Sequence, residues 1–193
     1  MDYNDDPGVT DTRRKLWRRL DQPGHELSSL DIGGDGAATL RGTAVFAEGG
    51  EPTLVAYEVT CDAGWRTSTA RASGSFGSQA FDVTLAVDAD GKWTLNDKRI
   101  PPVDGCIDVD LSFTPATNLL PIRRLALPVG ASAPVRAAWL RFPELTVEVL
   151  EQTYHRTATT RYAYESGNGA FRAEIEVDDA GMVVHYENLW KAE

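Results

Sequence analysis

The stretch EVTCDAGWRTSTARASGSFGSQAFDVTLAVDADG, residues 58–91, decides the fold because it recurs 90 residues later as EVLEQTYHRTATTRYAYESGNGAFRAEIEVDDAG, residues 148–181. Aligned without a gap, the two stretches are identical at 12 of 34 positions. Unrelated segments would share roughly two at average residue usage. This self-similarity indicates an internal duplication, which has to be recognised before a fold is assigned.

Both copies show the alternation of a β-strand with one buried face. Every second residue is apolar in 81–87, beginning with Phe81, and in 171–177, beginning with Phe171. Successive side chains of a strand point to opposite faces. Both runs end in turn sequences, DADG and DDAG, whose glycine allows a positive φ. We therefore predict an all-β, mainly antiparallel fold, in which duplicated meander repeats form one large curved sheet or a splayed barrel.

The turn signals and the repeat suggest an organisation of the whole chain. We expect residues 1–12 to form a mobile N-terminal tail, because they show no periodicity, and residues 13–193 to form a single duplicated β domain. Repeat one would cover about 13–100, a junction about 101–134, and repeat two about 135–193. Within repeat one, residues 13–32 read as strand, turn and strand, with the turn at Gln22-Pro23-Gly24.

Composition excludes several classes of protein. The formal net charge of −10 argues against nucleic acid as a partner, because phosphate binding needs a basic field. Two cysteines, Cys61 and Cys106, are too few for a disulfide framework. The acidic N-terminus lacks the features of a secretory signal, and no apolar run is long enough for an integral membrane segment. We expect a cytoplasmic protein, and the oligomeric state stays open.

The junction contains the segment DGCIDVDLSFTPATNLLPIRRLAL, residues 104–127. Odd-numbered residues 107–113 are apolar, whereas even-numbered residues 104–112 are polar or small, as in a strand with two unlike faces. Thr114-Pro115 reads as a helix N-cap followed by proline at the first helical position. Because Pro121 disfavours helical geometry at Leu120, the sequence predicts a short helical turn near residues 115–120.

Asp108 and Asp110 are the candidates for catalysis. Two residues apart on one strand, their carboxyl groups could lie roughly 6–7 Å apart, which is near the spacing used in glycosidases. Alternatively, Arg123 or Arg124 could fold back and pair with them in a structural ion-pair network. The second interpretation is favoured, so the protein is more readily understood as a non-enzyme. The spacing of His, Cys and acidic residues predicts no metal and no cofactor.

A group of aromatic, amide and arginine side chains suggests a ligand-binding surface instead. Rings can cover apolar or sugar surfaces, and guanidinium groups can hold anions. If the sheet is curved, these side chains could line its concave face; the same residues could otherwise be ordinary core aromatics and solvated arginines. The candidate ligand-binding residues are Trp65, Arg66, Arg123, Arg124, Gln152, Tyr154 and Arg156.

Several of these segments resemble a known family. The run 105–127 with its TPATNLLPIRR core, PGHE near the start, FPELTVEVLEQTYHR at 142–156 and VDDAGMVVHYENLW at 177–190 are similar to the bacterial putative glycolipid-binding family. The resemblance covers about residues 13–190. It implies a duplicated antiparallel β fold like that of the lipoprotein localisation factors, which carry acyl chains in an open half-barrel. It supplies no catalytic residues.

Three functions follow as hypotheses. The first is a protein that binds a lipid or glycolipid on a concave β surface and takes part in glycolipid metabolism. The second is a hydrolase that acts on a glycolipid through Asp108 and Asp110. The third is a non-catalytic scaffold whose sheet edges pair with a partner or with a second copy.

Overall fold

The computed structural model describes residues 8–193, which form 15 strands, one short α-helix and three 3₁₀ turns. The strands are β1 Val9–Arg19, β2 Gly24–Gly33, β3 Ala38–Glu48, β4 Glu51–Cys61, β5 Thr67–Phe76, β6 Gln79–Val87, β7 Trp93–Leu95, β8 Lys98–Arg99, β9 Asp108–Leu111, β10 Ser132–Leu140, β11 Val147–Ala158, β12 Arg161–Ser166, β13 Phe171–Val177, β14 Val183–Tyr186 and β15 Trp190–Ala192. The helix α1 is Leu119–Leu125, and the 3₁₀ turns are Pro101–Val103, Ala116–Asn118 and Gly167–Gly169. Among the described residues, no helix is both long enough and apolar enough to cross a membrane.

All these strands belong to one open sheet. Its order is β8-β7-β6-β5-β4-β3-β2-β1-β15-β14-β13-β12-β11-β10-β9. Consecutive strands pair antiparallel in β1–β8 and in β10–β15, β1 also pairs antiparallel with β15, and β9 lies parallel to β10. The β1–β15 pairing, with Trp17 opposite Ala192, joins the two meanders into one sheet. The predicted all-β, mainly antiparallel fold with one large sheet is confirmed, and the sheet does not close.

The alternation along β4 shows why these residues form half-buried strands. Thr53, Val55, Tyr57, Val59 and Cys61 are buried, and the residues between them are exposed or partly exposed. Because successive side chains of a strand point to opposite faces, the apolar face of β4 is buried and its other face meets solvent. The hydrophobic pattern therefore determines which face of the strand is turned to the core.

The first strand begins inside the segment predicted as a tail. β1 starts at Val9, and its ladder with β2 pairs Val9 with Gly33 and Thr12 with Asp31. Backbone hydrogen bonds to a neighbouring strand order residues 9–12, although these residues carry no hydrophobic period. Residues 1–7 lie outside the described part of the chain. The predicted strand, turn and strand over 13–32 correspond to β1 and β2.

The duplicated turns have the same hydrogen bonds in both copies. Oδ1 of Asp88, like Oδ1 of Asp178, accepts hydrogen bonds from the backbone amides two and four residues later. The amides of Gly91 and Gly181 donate to the carbonyls of these aspartates, and both glycines have positive φ, +74° and +87°. The 90-residue correspondence fails at the β4–β5 connection. Trp65 lies in a loop there, whereas the aligned His155 lies within a strand.

The strand β9 is buried on both faces, although the sequence predicts one polar face. Val109 and Leu111 pack into the core on one side, and Asp108 is only 1% exposed on the other. The outer edge of β9 is covered too, since the amide of Thr67 donates to the carbonyl of Ile107 and its Oγ1 accepts from the amide of Val109. The polar face is buried because α1 and β11 place polar partners against it, as described below.

The short helical turn predicted near 115–120 is present and continues to Leu125. Oγ1 of Thr114 accepts a hydrogen bond from the amide of Ala116, as predicted for a cap. Pro121 is tolerated because it lies in the first turn of α1, where its missing N–H has no helical partner to lose. The helix ends where Ala126 adopts the left-handed conformation. Residues 113–122 are all buried, so this segment fills the inner face of the sheet.

Aromatic side chains fill the remainder of the inner face near β3–β6. The loop between β10 and β11 places Phe142 at the centre, with the ring centroids of Phe46, Phe76, Phe81 and Phe113 between 5.6 and 5.9 Å from its own. Edge-to-face contacts of this kind add to the free energy of area burial. On the inner face of the first half of the sheet, these four rings therefore pack around the ring of Phe142.

Candidate functional site

A pocket of about 620 Å³ opens at one end of the sheet, beside α1. We call it the α1 pocket. Its walls come from the loop after β4, from the C-terminal part of α1, from the hairpin between β11 and β12 and from the turn between β13 and β14. The lining residues used below are Trp65, Arg123, Arg156, Tyr162, Asp178 and Asp179.

Trp65 is held in place by its own loop. Oδ1 of Asp62 accepts hydrogen bonds from the amides of Gly64 and Arg66, and the amide of Trp65 donates to the carbonyl of Asp62. This tight turn places Trp65 at φ +62° and buries its ring against α1. The guanidinium of Arg123 lies 4.7 Å from the centroid of that ring. Such a cation–π contact fixes an arginine without neutralising its charge.

Arg156 is anchored by backbone carbonyls. Its Nη1 donates to the carbonyl of Leu127 at 2.7 Å and its Nη2 to the carbonyl of Thr159. The guanidinium also lies 5.7 Å from the ring centroid of Tyr162. Nε is buried and has no hydrogen-bond partner among the described residues. Burial raises the pKa of Tyr162, and the positive charge of Arg156 opposes that rise.

Neither Arg123 nor Arg156 has a carboxylate partner within residues 8–193, whereas 11 of the 15 arginines form an ion pair there. The two carboxylates that line the pocket are already close to cations from β1. Asp178 is 2.7 Å from Nζ of Lys15, and Asp179 lies 4.0 Å from Arg13. The pocket therefore contains two guanidinium groups that could pair with an anionic group.

Arg66 lines a different pocket, although it is adjacent to Trp65 in sequence. This pocket of about 370 Å³ lies beside the residues that lead into β9, Cys106 and Ile107, and we call it the β9 pocket. Asp62 and Asp88 contribute carboxylates to it. The loop after β4 thus sends consecutive side chains into two pockets.

The other three predicted ligand-binding residues make internal contacts and are not among the residues that line the α1 pocket. Arg124 pairs with Asp108, Nε2 of Gln152 donates to Oδ2 of Asp110 at 2.7 Å, and the Tyr154 hydroxyl donates to Oδ1 of Asn118 at 2.8 Å. Gln152, Tyr154 and Arg156 share one face of β11. The first two lie where the junction segment covers the strand, whereas Arg156 lies near its end, where the inner face opens.

The two aspartates of β9 differ in their surroundings. The carboxylate of Asp108 receives Nε and Nη2 of Arg124 at 3.0 and 2.5 Å, so the ion pair considered from the sequence is present. Burial raises the pKa of Asp108 even so, because Arg124 offsets only part of the desolvation. Burial raises the pKa of Asp110 to about 6, against the hydrogen bond from Gln152. Asp108 has no free face with which to meet a substrate.

A buried polar cluster on β2 was missed by sequence reasoning. Glu26 is 1% exposed, and its Oε1 accepts hydrogen bonds from Tyr57 and Thr114, each at 2.6 Å. Its Oε2 has no partner among the described residues. Burial raises the pKa of Glu26 to about 7, which the two hydroxyl groups and Arg19 oppose. The alternation along β2 could have revealed this cluster, because Glu26 and Ser28 lie on the same face of the strand as Leu30.

Metal binding has no geometric basis in the described part of the chain. No three His, Cys, Asp or Glu side chains of residues 8–193 converge in a way that could hold a metal ion.

The fold and the pocket define a duplicated, open-sheet β-protein with a helix packed on its inner face. The chain belongs to the family described as putative glycolipid-binding, whose model matches residues 14–192. It is also similar to a protein of the family DUF1089 from Pseudomonas aeruginosa, known from a crystal structure. The two share 31% sequence identity and a TM-score of 0.74 over 86% of this chain and 91% of that chain. No curated protein matched the chain. The resemblance expected from the sequence is therefore confirmed.

Proposed function

We propose that this protein binds a glycolipid or a related amphipathic lipid, with the polar headgroup in the α1 pocket. One observation carries the proposal. Trp65, Arg123 and Arg156 come from three distant parts of the chain and converge on one pocket, where both guanidinium groups lie over rings and lack carboxylate partners. The family description supports the same chemistry.

The charge of the pocket favours a headgroup that carries an anion. Arg123 and Arg156 can donate several hydrogen bonds in a fixed planar geometry, which matches phosphate or carboxylate oxygens. Arg123 is exposed and Arg156 is half-buried, so a headgroup in the pocket would replace hydrogen bonds that water otherwise supplies to the two guanidinium groups.

The walls of the pocket also favour an apolar part in the same ligand. Ile122, Ala126 and Val177 line it together with the rings of Trp65 and Tyr162. Aromatic rings pack well against the apolar face of a sugar or against the first methylene groups of an acyl chain. A pocket with convergent guanidinium groups and apolar walls is the expected arrangement for an amphipathic ligand.

A binding experiment tests this proposal. Delipidated protein would be titrated with dihexanoyl phosphatidylinositol, a soluble anionic lipid, by isothermal titration calorimetry, and lipids that co-purify would be identified by native mass spectrometry. We expect Arg123→Ala to weaken binding by at least about tenfold, as is usual for a lost charge-assisted hydrogen bond. Arg172→Ala is the matched control, because Arg172 is exposed and pairs with Glu165 away from the pocket. No co-purified lipid together with no binding would overturn the proposal.

The two alternatives from the sequence have weaker support. Hydrolysis through Asp108 and Asp110 requires accessible carboxyl groups, and Asp108 is buried under Arg124. Assembly through sheet edges requires a free edge, yet β8 has two residues and β9 is covered by Thr67. We therefore propose binding alone.

A further inference from the structure

We infer that the β9 pocket is a second headgroup subsite, produced by the duplication, and that it takes a neutral polyol such as a sugar ring. This inference rests on the proposed function, because it assigns the second half of the same headgroup. The ligand class would then be a lipid whose headgroup carries both an anion and a polyol.

The lining of the two pockets shows the duplication. Five residues of the β9 pocket have their partners, 90 positions later, in the lining of the α1 pocket. The pairs are Arg66/Arg156, Val87/Val177, Asp88/Asp178, Ala89/Asp179 and Gly91/Gly181. The two Asp-to-Gly turns also share their hydrogen bonds, as described above. The two pockets therefore share the Asp-to-Gly turn of the repeat, although the arginine comes from a loop in one pocket and from a strand in the other.

The charge of the β9 pocket differs from that of its counterpart. Asp62 and Asp88 face one guanidinium, that of Arg66, and neither carboxylate forms an ion pair among residues 8–193. A second anionic group would be repelled there. The two aspartates use Oδ1 for their own turns, and Oδ2 of each is left as an acceptor.

Both hydrogen-bond donors and acceptors line this pocket. Arg66 supplies N–H donors, Asp62 and Asp88 supply acceptors, and the exposed hydroxyl of Ser68 can act as either. Hydroxyl groups of a polyol both donate and accept, so neighbouring hydroxyls can bridge a guanidinium and a carboxylate. The pocket contains no aromatic ring, unlike the α1 pocket with Trp65.

The inference requires one headgroup to span both pockets, which flank a single loop. Trp65 of that loop lines the first and Arg66 lines the second. The anion would lie between Arg123 and Arg156, and the polyol would extend past the loop to Arg66. The repeat thus supplies two sites that have diverged in charge.

Two soluble lipids of equal charge test the inference. Dihexanoyl phosphatidylinositol carries a phosphodiester and a polyol, whereas dihexanoyl phosphatidylmethanol carries the phosphodiester alone. We expect the wild type to bind the inositol lipid about tenfold more tightly, and Arg66→Ala to erase this preference, since the variant lacks the charged donor for the polyol. In amide NMR spectra, the Gly181 signal should shift with both lipids and the Gly91 signal with the inositol lipid only.

The outcomes separate this inference from the proposed function. If both lipids bind with equal affinity, or if Arg66→Ala keeps the preference and the Gly91 signal stays unmoved, the second subsite is overturned while binding in the α1 pocket stands. If neither lipid binds, the proposed function fails and the inference fails with it. Arg172→Ala should retain the preference, which separates the effect of Arg66 from a general loss of positive charge.

Discussion

Arg124 and Asp108 form a bidentate ion pair that joins α1 to β9 inside the protein. Asp108 is 1% exposed and the Arg124 side chain 17%. Removing one partner leaves an uncompensated buried charge, which typically costs about 3–5 kcal/mol. We therefore expect Arg124→Met to lower the free energy of unfolding by that amount at neutral pH, measured by urea denaturation.

Two comparisons make this prediction specific. Arg172→Met removes one half of an exposed pair with Glu165 and should cost less than about 1 kcal/mol. Arg124→Met combined with Asp108→Asn should recover part of the loss, because the lone charge is then gone. A cost for Arg124→Met no larger than that of the exposed control would contradict a structural role for the pair.

The fold could be predicted because its signal is periodic. Residues 81–87 and 171–177 alternate in both copies, and the structure makes them β6 and β13. The same reasoning predicted the two unlike faces of β9 but not the burial of the polar one, because a period of two says that faces differ and not that one is solvated. In β1 and β2, residue type alone does not show which face is buried. Leu16 and Leu27 are directly paired on the exposed face, whereas Glu26 lies inside.

The candidate site could be predicted only in part, because residue type does not show how deeply a side chain is buried. Trp65, Arg123 and Arg156 were chosen for chemistry that suits a ligand, and they converge. Gln152 and Tyr154 have the same chemistry on the same strand as Arg156 but lie under the junction segment. Where that segment crosses the sheet depends on the long-range pairing of β9 with β10, which no local pattern encodes.

The stability of the protein should fall as pH rises through the titration of Glu26. Its folded pKa of about 7 lies above the ordinary 4.5. The folded state therefore binds the proton more tightly, so the stabilisation is complete below about pH 4.5 and is lost as pH rises to about 7. The shift corresponds to about 3 kcal/mol. Glu26→Gln should remove this slope when the free energy of unfolding is measured in urea across the range.

Asp110 supplies the matched comparison for this pH dependence. Its pKa is raised to about 6 from an ordinary 3.8, so its contribution has the same sign but is lost at lower pH. Asp110→Asn should reduce the slope between about pH 4 and 6, where the contribution of Glu26 remains, and leave the slope between about pH 6 and 7 unchanged. A Glu26→Gln profile identical to that of the wild type would show that the carboxyl is hydrated in solution.

Gly42 and Tyr57 should show strong energetic coupling. A Cβ at position 42 would lie 2.4 Å from atoms of the Tyr57 ring, and that ring is fixed by its hydroxyl, which donates to Glu26. Overpacking of this kind costs about 1–3 kcal/mol, so we expect Gly42→Ala to destabilise the protein in that range. The cost should shrink in a Tyr57→Leu background, which lacks the ring tip. Equal costs in both backgrounds, measured by urea denaturation, would contradict the contact.

At position 65, a glycine variant should be more stable than an alanine variant, which is the reverse of the usual order. Its φ of +62° is a left-handed conformation that costs an L-residue about 1–2 kcal/mol and costs glycine nothing sterically. Trp65→Ala and Trp65→Gly lose the same buried ring and the same contact with Arg123, so only the backbone differs between them. We expect Trp65→Gly to be more stable than Trp65→Ala by about 1 kcal/mol in urea denaturation, even after the larger entropy of unfolded glycine is included.

Both variants should bind dihexanoyl phosphatidylinositol at least about tenfold more weakly than the wild type. If Trp65→Gly binds as tightly as the wild type, the ring neither contacts the headgroup nor is needed to position Arg123.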